Sequence, residues 1–454
     1  MARVFSLSSA AWSILYLCAK IATPHDVFEQ LAHRHIVPVN LESIGIPEQV
    51  HLAFAGHEAG TGMTVSWATK SRVSAPQVWY TQASNGNVSL DAMDVAPATT
   101  NVYYAEDDYE LYNHHAVFSP QTEYFYVIGS QDDSLATSST RNVFKTASDG
   151  TVDAFNAVIY GDMGVLQSES SIEYLNSLAL DGVELIWHIG DISYADDAFE
   201  HPDVDPNAFT YEEVFNKFMN LMSPVMSKVP YMVTVGNHEA ECYSPACLRS
   251  TFKKDHLGNF SAYNARFRMP SNESNGALNM WFSWTHGPVQ FISINSETDF
   301  DGAIRDEQTG THHNGGFGNQ VKWLNEALAA AHARRDKFPW IFVGTHRPLY
   351  SVFMEDTTYG RLPRVRNVTV AIQKAFEDLF LKYKVDAVLM GHVHSYERQL
   401  PIAHGKSVRD GVSPDASVYH NPKAPVYILT GAAGNIEDLT PYLGEEQVPE
   451  WNVV

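Results

Sequence analysis

The sequence predicts a two-domain protein in which a β-sandwich is followed by a larger α/β layered domain. Three observations support this fold class. The chain has 454 residues, of which 44% are hydrophobic, and this is enough for two or three domains. Short runs that alternate apolar and polar residues fill positions 45–148. After position 154, apolar runs typical of buried strands alternate with segments of helical periodicity.

The first domain, residues 45–148, is predicted from strand-like runs. Each run is bounded by Gly, Asn, Ser or Pro, which is the pattern of short antiparallel strands in a sandwich. The runs are "HLAFAG", "GMTVSWAT", "APQVWYTQ", "TNVYYAED", "HHAVFS" and "TEYFYVIGS". The stretch "ASDGTVDAF" that follows them is predicted to be a linker.

The second domain, residues 154–454, is predicted from strands that are apolar on both faces. Such strands lie between two layers, and their alternation with amphipathic helices is typical of α/β proteins. The strand runs are "AVIYGD", "VELIWHIGD", "YMVTVGN", "VQFISIN", "WIFVGTH" and "VDAVLMGH". The helical runs are "SESSIEYLNSLAL", "YEEVFNKFMNLM", "NQVKWLNEALAAAHARR" and "VAIQKAFEDLFLKY".

The N-terminus indicates export. Residues 1–22 combine a basic start, an apolar run and small residues, which is the layout of a signal peptide. A single membrane anchor is the alternative, although the run is shorter than the roughly 20 apolar residues that a span needs. We therefore expect a secreted, extracellular protein, with retention in a vacuole or cell wall left open.

Two further features fit an oxidising compartment. Cys242 and Cys247 are expected to form a short-loop disulfide, with two free thiols as the alternative. Four sequons are expected to be glycosylation sites, and they are Asn87, Asn259, Asn272 and Asn367.

The charge balance excludes one class of protein. The chain has 53 acidic and 30 basic residues and a formal net charge of -23. A nucleic-acid binder neutralises phosphates with Lys and Arg, so we expect no such partner. The same acidic surface would repel an anionic substrate, so a bound metal would have to supply positive charge to a phosphate.

Five apolar runs end in a polar cluster at the carboxyl end of a predicted strand, where open α/β sheets place their ligand sites. One cluster alone could be a turn, because Asp and Asn are common turn formers. The clusters are "GDMG" with Asp162, "GDISYAD" with Asp191 and Tyr194, "GNHE" with Asn237 and His238, "GTHRP" with His346, and "GHVH" with His392 and His394.

Together the clusters predict a dinuclear metal site. Two Asp, one Asn, one Tyr and three His provide seven oxygen and nitrogen donors, about what two adjacent cations need. Imidazole suits Zn and Fe, carboxylate and phenolate suit Fe(III), and the set contains no thiolate. We therefore expect Fe(III) beside a divalent ion, a pair suited to in-line phosphoryl displacement.

The five blocks, in this order, resemble the metallophosphoesterases. "GDISYAD" with "GHVHSYER" resembles the purple acid phosphatases in particular, because a tyrosine follows the second Asp by three residues. The segment "PVYILTGAAGNIEDL" and the preceding sandwich are similar to the same family. The resemblance covers roughly residues 45 to 445. It implies a fibronectin III-like N-terminal domain and a metallophosphoesterase αββα sandwich.

Carried over block by block, the resemblance implies a role for each cluster. The ligands implied for Fe(III) are Asp162, Tyr194 and His394. The ligands implied for the divalent ion, which would be Zn, Mn or Fe, are Asn237, His346 and His392. Asp191 would bridge the two ions. His238 would contact the substrate phosphate or protonate the leaving group, with a purely supporting hydrogen bond as the alternative.

The sequence departs from the family in two places. Plant members carry further histidines after the "H-x-P" block, whereas "LYSVFMEDTTYG" has none. The leaving-group acid is therefore open, with His312, His313 and Glu355 as candidates. The family domain also continues past the "GAAGN" block, whereas this sequence ends at Val454. We expect either a truncated sequence or a sheet that closes differently.

The resemblance implies an acid phosphatase that hydrolyses phosphate monoesters by attack of a metal-bound hydroxide. Its expected partners are small phosphorylated substrates, without membrane contact after signal cleavage, and its oligomeric state is left open. One alternative is a phosphodiesterase or nucleotide pyrophosphatase, because the fold alone does not fix the ester. The second is a secreted binding or adhesion protein with an inactive phosphatase domain.

Overall fold

The computed structural model describes residues 4–6, 45–56, 62–85, 89–106, 109–118, 123–130, 141–148, 154–178, 182–304, 314–355, 363–440 and 448–454. Three predictions lie outside these ranges, namely the signal peptide apart from residues 4–6, the sequon at Asn87, and His312 with His313. Glu355 ends a described helix, but its side chain is outside the description. None of the helices within these ranges is both long and apolar enough to cross a membrane.

The N-terminal half is a β-sandwich, as predicted. Its strands, preceded in the chain by β1 (Val4–Ser6), are β2 (Glu48–Phe54), β3 (Met63–Thr69), β4 (Pro76–Gln82), β5 (Asp94–Asn101), β6 (Ala105–Glu106), β7 (Tyr109–Glu110), β8 (Tyr112–Phe118), β9 (Glu123–Ser130) and β10 (Asn142–Lys145). Seven of them form antiparallel pairs in the order β10-β9-β4-β5-β8-β3-β2, and β6 pairs with β7. Short 3₁₀ turns occupy Ala83–Asn85 and Leu90–Ala92.

Strand β5 belongs to both layers of the sandwich. Its residues 94–97 pair with β4, and its residues 98–101 pair with β8. Rings from the two layers meet in the core, where Phe118 of β8 lies 4.4 Å from Tyr80 of β4 and 5.6 Å from Phe144 of β10, centroid to centroid. The single pleated sheet therefore folds over on itself around an aromatic core.

One strand of this half is misplaced in the sequence prediction. The run "TNVYYAED" predicts a strand over 100–107, whereas β5 ends at Asn101 and, among the described residues of this run, the only further strand is β6 at Ala105–Glu106. Tyr103 instead donates its hydroxyl to Glu212 at 2.5 Å, and the Tyr104 ring lies 5.4 Å from that of Phe209. The apolar pattern here reflects contact with the second half of the chain.

Among its described residues, the second half contains two sheets of three or more strands. The first is parallel and consists of β11 (Ala157–Tyr160), β12 (Leu185–Ile189) and β13 (Tyr231–Thr234). The strands after it are β14 (Phe282–His286), β15 (Val289–Ser293), β16 (Trp340–Thr345), β17 (Ala387–Met390), β18 (Tyr396–Ala403), β19 (Lys406–Ser407), β20 (Val418–His420) and β21 (Val426–Thr430). The second sheet has the order β14-β15-β16-β17-β21-β18-β19, while β20 pairs with β1.

Helices lie before, between and after these strands. They are α1 (Glu169–Leu178), α2 (Tyr211–Met226), α3 (Pro245–Leu248), α4 (Thr251–Leu257), α5 (Ser261–Arg266), α6 (Gln320–Ala333), α7 (Val352–Glu355) and α8 (Pro363–Tyr383), with 3₁₀ turns at Ala198–Glu200 and Asn237–Glu239. α1 packs on α2, and α6 packs on α8. The two helix pairs and the two sheets agree with the predicted αββα sandwich, which is confirmed.

The two sheets face each other through a layer of large side chains. The ring of Trp187 in β12 lies 5.0 Å from Trp284 in β14 and 5.6 Å from Phe291 in β15. The hydroxyl groups of Thr234 in β13 and Ser293 in β15 are 2.9 Å apart. The strand ends are thereby held close enough for loops from both sheets to meet.

Arg266 joins the two halves of the chain. Its side chain is buried and donates hydrogen bonds to Glu212 at 2.8 Å, to the Tyr103 hydroxyl at 2.9 Å and to Gln49 at 3.1 Å. Tyr109 also donates to Glu212, at 2.7 Å. Because a buried charge must be paired, and the partners come from both halves, this network favours one fixed packing of the two.

Cys242, Cys247 and three of the four sequons lie within the described residues. Cys242 and Cys247 form a disulfide, which confirms that prediction. Asn259, Asn272 and Asn367 are exposed. Their glycosylation stays a prediction.

Candidate metal centre

The five predicted clusters lie together at the carboxyl ends of parallel strands. The residues shortly after β11, β12, β13, β16 and β17 are Asp162, Asp191, Asn237, His346 and His392, respectively. Backbone hydrogen bonds join these ends, because the Asp162 amide donates to the Gly190 carbonyl at 3.1 Å and the Gly391 amide to the His346 carbonyl at 2.8 Å. Loops from both sheets therefore converge at one edge.

Asp162, Tyr194 and His394 form a first group of donors. The Tyr194 hydroxyl lies 3.3 Å from Oδ1 of Asp162 and 3.2 Å from Nε2 of His394, and that Nε2 lies 3.6 Å from the same Oδ1. Ligands about 2.1 Å from one cation and at right angles to each other are about 3 Å apart. The three atoms are therefore spaced as ligands of a single ion.

Asp191, Asn237, His346 and His392 form a second group. Nε2 of His346 lies 2.8 Å from Oδ2 of Asp191 and 3.1 Å from Oδ1 of Asn237. Donor atoms of Asp191, His346 and His392 all lie within 4.8 Å of one another. The structure thus brings the seven residues together at one edge of the sheets, and their assignment as metal ligands, with Asp191 as the bridge, stays a prediction.

The histidines are oriented as metal ligands are. Nδ1 of His346 lies 3.0 Å from the Ile189 carbonyl, and Nδ1 of His394 lies 3.0 Å from the Asp438 carbonyl. An N–H donated to a carbonyl fixes the tautomer and leaves the lone pair of Nε2 facing the cluster. For His392, burial, followed by the nearby positive charge of Arg347, lowers the pKa well below the usual value, which favours a neutral imidazole.

The carboxylates also favour bound cations. Burial raises the pKa of Asp162 well above its usual value, and the charge of Asp191 raises it further, while His346 opposes both. Two buried carboxylates at close range repel each other unless positive charge lies between them. The donor set, its spacing and its charge therefore fit a pair of cations.

The backbone adopts uncommon conformations at four of these donors. Asp162, Asp191, Tyr194 and His392 have φ of 62°, 52°, 51° and 71°, a left-handed region that non-glycine residues seldom adopt and that clusters at functional sites. Glycines make room beside them. A Cβ on Gly236 would lie 2.3 Å from Oδ1 of Asp191, a contact that no real structure tolerates.

His238 lies beside the two groups of donors. Its Nδ1 is 3.0 Å from Oδ2 of Asp196 and 3.4 Å from Oδ2 of Asp197. Its ring lies 4.2 Å from that of Tyr194, and its Nε2 lies 3.8 Å from Oδ2 of Asp191. Burial opposes a charge on His238, but the carboxylates of Asp196, Asp197 and Asp191 together raise its pKa well above the usual value.

The structure adds residues that sequence reasoning missed. Glu239 accepts the backbone N–H groups of Asp191 at 3.0 Å, Ile192 at 2.8 Å and Gly236 at 2.8 Å, and thereby joins two of the site loops. In the sequence, the position of Glu239 directly after "GNH" could have indicated that it belongs to the site. Glu437 lies 3.8 Å from Nε2 of His238, and it comes from the distant "GAAGNIEDL" segment. Only the fold places it here.

Comparison with known families agrees with the fold and the site. Residues 155–396 match the calcineurin-like phosphoesterases, and residues 47–146 match the N-terminal domain of purple acid phosphatases. The first match covers every one of the seven predicted ligands. The solved structure of the purple acid phosphatase PPD1 from yellow lupin (Lupinus luteus) seeds has the same fold, with a TM-score of 0.64 and 20% identity over 90% of this chain and 68% of that one.

Two curated relatives extend over most of the sequence. Acid phosphatase type 7 of Mus musculus is 31% identical over 90% of this chain and 82% of its own length. An acid phosphatase of Aspergillus ficuum is 29% identical over 70% of this chain, which spans 65% of that relative's length. The resemblance drawn from the sequence motifs is confirmed, and the chain belongs to the calcineurin-like phosphoesterases and, among them, to the purple acid phosphatases.

Proposed function

We propose that this protein is an acid phosphatase that hydrolyses phosphate monoesters at a dinuclear metal centre. One observation carries the proposal, namely that seven oxygen and nitrogen donors and His238 meet in a single buried cluster. Family membership and the relatives named acid phosphatase support the same activity. The substrates would be small phosphorylated molecules.

The proposed ligand assignment follows the two groups of donors. Fe(III) would be held by Asp162, Tyr194 and His394, and a divalent Zn, Mn or Fe ion by Asn237, His346 and His392. Asp191 would bridge them, since it lies 2.8 Å from His346 and its charge acts on Asp162. Two such cations, when bound, supply Lewis acidity and lower the pKa of water towards neutrality.

His238 is the residue that we assign to the leaving group. Asp196 and Asp197 hold its Nδ1, so Nε2 faces the cluster. As the bond between phosphorus and the leaving oxygen breaks, His238 would donate its Nε2 proton to that oxygen. The oxygen of water bonds to phosphorus, and one water proton restores the charged imidazole. The products are an alcohol and inorganic phosphate.

We also propose that the protein is exported through a signal peptide at residues 1–22. The disulfide between Cys242 and Cys247 supports an oxidising compartment. The exposed positions of Asn259, Asn272 and Asn367 are compatible with glycosylation.

The activity can be tested with the metal-loaded protein and two related esters. We expect p-nitrophenyl phosphate to be hydrolysed faster than bis-p-nitrophenyl phosphate, with two metal ions bound per chain. Faster turnover of the diester would instead indicate a phosphodiesterase. Hydrolysis of neither ester by a fully loaded protein would overturn the proposal and favour a binding role.

A further inference from the structure

Glu437 is a carboxylate at the edge of the cluster that the proposed ligands and the proposed acid leave unused. Its Oε1 lies 3.8 Å from Nε2 of His238, and its Oε2 lies 3.6 Å from Nε2 of His394. The Glu437 side chain is 39% exposed, whereas Asp162 and Asp191 are buried. It therefore faces the cluster on one side and solvent on the other.

The segment that carries Glu437 is fixed to one of the proposed ligands. Nδ1 of His394 lies 3.0 Å from the Asp438 carbonyl, and the His394 amide donates to the Thr440 hydroxyl at 3.0 Å. The Thr440 amide donates back to the His394 carbonyl, also at 3.0 Å. The Glu437 amide itself donates to Oδ1 of Asn435 at 3.0 Å. These bonds hold the backbone on both sides of Glu437, so its carboxylate is presented at a defined place.

A carboxylate at this place is unsuited to the phosphoryl group of a substrate. Carboxylate and phosphoryl oxygens are both negatively charged acceptors, and like charges repel each other. Glu437 instead lies close to Nε2 of His238, the atom from which the leaving oxygen would take its proton. The alcohol part of the ester would therefore pass beside Glu437.

An alcohol part with an amino group fits this position. An ammonium group two carbons from the ester oxygen lies roughly 3–4 Å from that oxygen by ordinary bond lengths. It is then within reach of a carboxylate beside His238, with which it forms a charge-assisted hydrogen bond. Asp438, directly after Glu437, is also exposed, so this edge of the site carries two neighbouring acids. Such an edge attracts cationic groups and repels anionic ones.

We propose that Glu437 selects phosphate monoesters of small amino alcohols, whose alcohol part carries a positive charge, over esters whose alcohol part is anionic. This inference rests on the proposed phosphatase function and deepens it by naming a substrate class. Glu437 would act on the alcohol part, while His238 serves the leaving oxygen.

The test uses three esters of similar size that differ in the charge of the alcohol part. They are 2-aminoethyl phosphate, which is cationic there, propyl phosphate, which is neutral, and phosphoglycolate, which is anionic. The metal-loaded unsubstituted protein is compared with Glu437→Gln and Asp438→Asn, and kcat/KM is measured for each ester. Glu123→Gln is the matched control, because Glu123 is an exposed glutamate on β9 of the sandwich.

We expect Glu437→Gln to lower the ratio of kcat/KM for 2-aminoethyl phosphate to that for propyl phosphate by about 3- to 5-fold, the size of one partly exposed ion pair. The ratio of phosphoglycolate to propyl phosphate should rise by a similar factor, because a repulsion is removed. Asp438→Asn should shift both ratios in the same directions but by less, and Glu123→Gln should shift neither.

These ratios isolate the effect of the charge. Comparing the same ratio between two proteins cancels the different intrinsic reactivities of the esters. It also cancels the fraction of metal-loaded protein, so a partial loss of metal in Glu437→Gln would not hide the effect. Salt gives a second readout, since a rise in ionic strength from about 0.02 M to about 0.5 M screens exposed charges. Both ratios of the unsubstituted protein should then move towards those of Glu437→Gln.

Ratios in Glu437→Gln that stay within about 1.5-fold of the original values would overturn the inference. An equal shift in Glu123→Gln would also overturn it, because the net charge of the chain would then be the cause. In both cases hydrolysis of the three esters by the unsubstituted protein would leave the proposed function standing.

Failure of the proposed function is a separate outcome. If the fully loaded protein hydrolyses no ester, calorimetry decides the inference through the Kd of 2-aminoethyl phosphate relative to that of inorganic phosphate. Glu437→Gln should weaken binding of the first relative to the second. An unchanged ratio of the two Kd values would count against a role of Glu437 in selecting the alcohol part.

Discussion

The Tyr194 hydroxyl lies between Oδ1 of Asp162 and Nε2 of His394, 3.3 Å from one and 3.2 Å from the other. Three different donor types from three separate loops thus meet around one point. The spacing is that of neighbouring ligands on an ion, and the phenol oxygen is the member of the set that would give the proposed Fe(III) a charge-transfer band. Tyr194 therefore offers a test of metal identity.

Tyr194→Phe should bind iron but lose the visible absorption band. The ring packs 4.2 Å from that of His238 and is buried, so Phe fills the same space and the fold should be unchanged. Absorption spectra at equal iron content check this. Tyr263→Phe is the control, because this buried tyrosine donates to backbone carbonyls outside the cluster. A coloured Tyr194→Phe protein would exclude Tyr194 as an iron ligand.

Asp191→Ala should empty the centre. Its carboxylate lies 2.8 Å from His346, and its Oδ1 accepts the His238 amide at 3.0 Å, so its loss removes the proposed bridge and loosens the loop beyond β13. We expect fewer than two metal ions per chain and a loss of activity of more than about 100-fold. Asp415→Ala, at an exposed position, is the control. Full metal content in Asp191→Ala would contradict the bridging assignment.

His238→Gln should separate good from poor leaving groups. A proton donor matters most when the departing oxygen is basic, so kcat for β-glycerophosphate should fall by about 10²- to 10⁴-fold and that for p-nitrophenyl phosphate by much less. Metal content should stay at two ions. His256→Gln, an exposed histidine, should change neither rate. Equal losses with both substrates would show that His238 binds the phosphate and does not protonate the leaving group.

The free energy of unfolding of the N-terminal β-sandwich should decrease in acid. Burial lowers the pKa of His51 to about 4, of His114 to about 4 and of His115 to about 3, compared with about 6.5 in an unfolded chain. Between these lowered pKa values and about 6.5, the unfolded state therefore binds more protons than the folded state. Stability is fully present above about pH 6.5 and is lost as the pH falls towards 4, by about 1.4 kcal/mol per pH unit for each histidine.

Urea denaturation between pH 4.5 and 7.5 measures this slope. His115 bonds Ser66 through Nδ1 at 2.8 Å and the Ala265 carbonyl through Nε2 at 2.9 Å, so His115→Gln keeps polar partners but removes one titrating group. Its free energy of unfolding should be lower at pH 7 and fall less steeply on acidification. An unchanged slope would show that His115 does not titrate in this range.

Arg266→Met should destabilise the packing of the two halves. It leaves the Glu212 carboxylate buried without its charge partner, which typically costs about 3–5 kcal/mol. The free energy of unfolding at neutral pH is the measurement, and Arg409→Met, at an exposed position, is the control. A loss below about 1 kcal/mol would mean that Tyr103 and Tyr109 alone satisfy Glu212. The double variant with Glu212→Gln should recover part of the loss, because no carboxylate remains unpaired.

Strands whose runs are mostly apolar could be predicted from the sequence, whereas β18 could not. β12, with the sequence LIWHI, and β16, with the sequence WIFVGT, are mostly apolar, and both match the predicted runs. β18 was missed because it buries Glu397 and Gln399, whose polarity hides its place in the sheet. Oxygens of Glu397 accept from the Ser351 hydroxyl at 2.6 Å, a contact between segments 46 positions apart. A buried polar residue whose hydrogen-bond partner is so distant in the sequence cannot be recognised from its neighbours in the chain.

The same distinction applies to the site. The proposed ligands could be predicted because each follows a strand end, and strand ends are local features of the sequence. Glu437 has no such signal, since only the fold brings it to 3.8 Å from Nε2 of His238, which lies 199 positions earlier in the sequence. His312 and His313 stay open as alternative acids.

The glycines beside the donors also bear on how inactive relatives should be identified. A methyl group at Gly236 would collide with Asp191, and one at Gly190 would lie 2.4 Å from Nδ1 of His346. A homologue could therefore retain every coordinating side chain and still be a pseudoenzyme through a single Gly→Ala change. A sequence comparison that checks only the coordinating side chains would classify such a protein as active. Gly190 and Gly236 should therefore be checked together with those side chains.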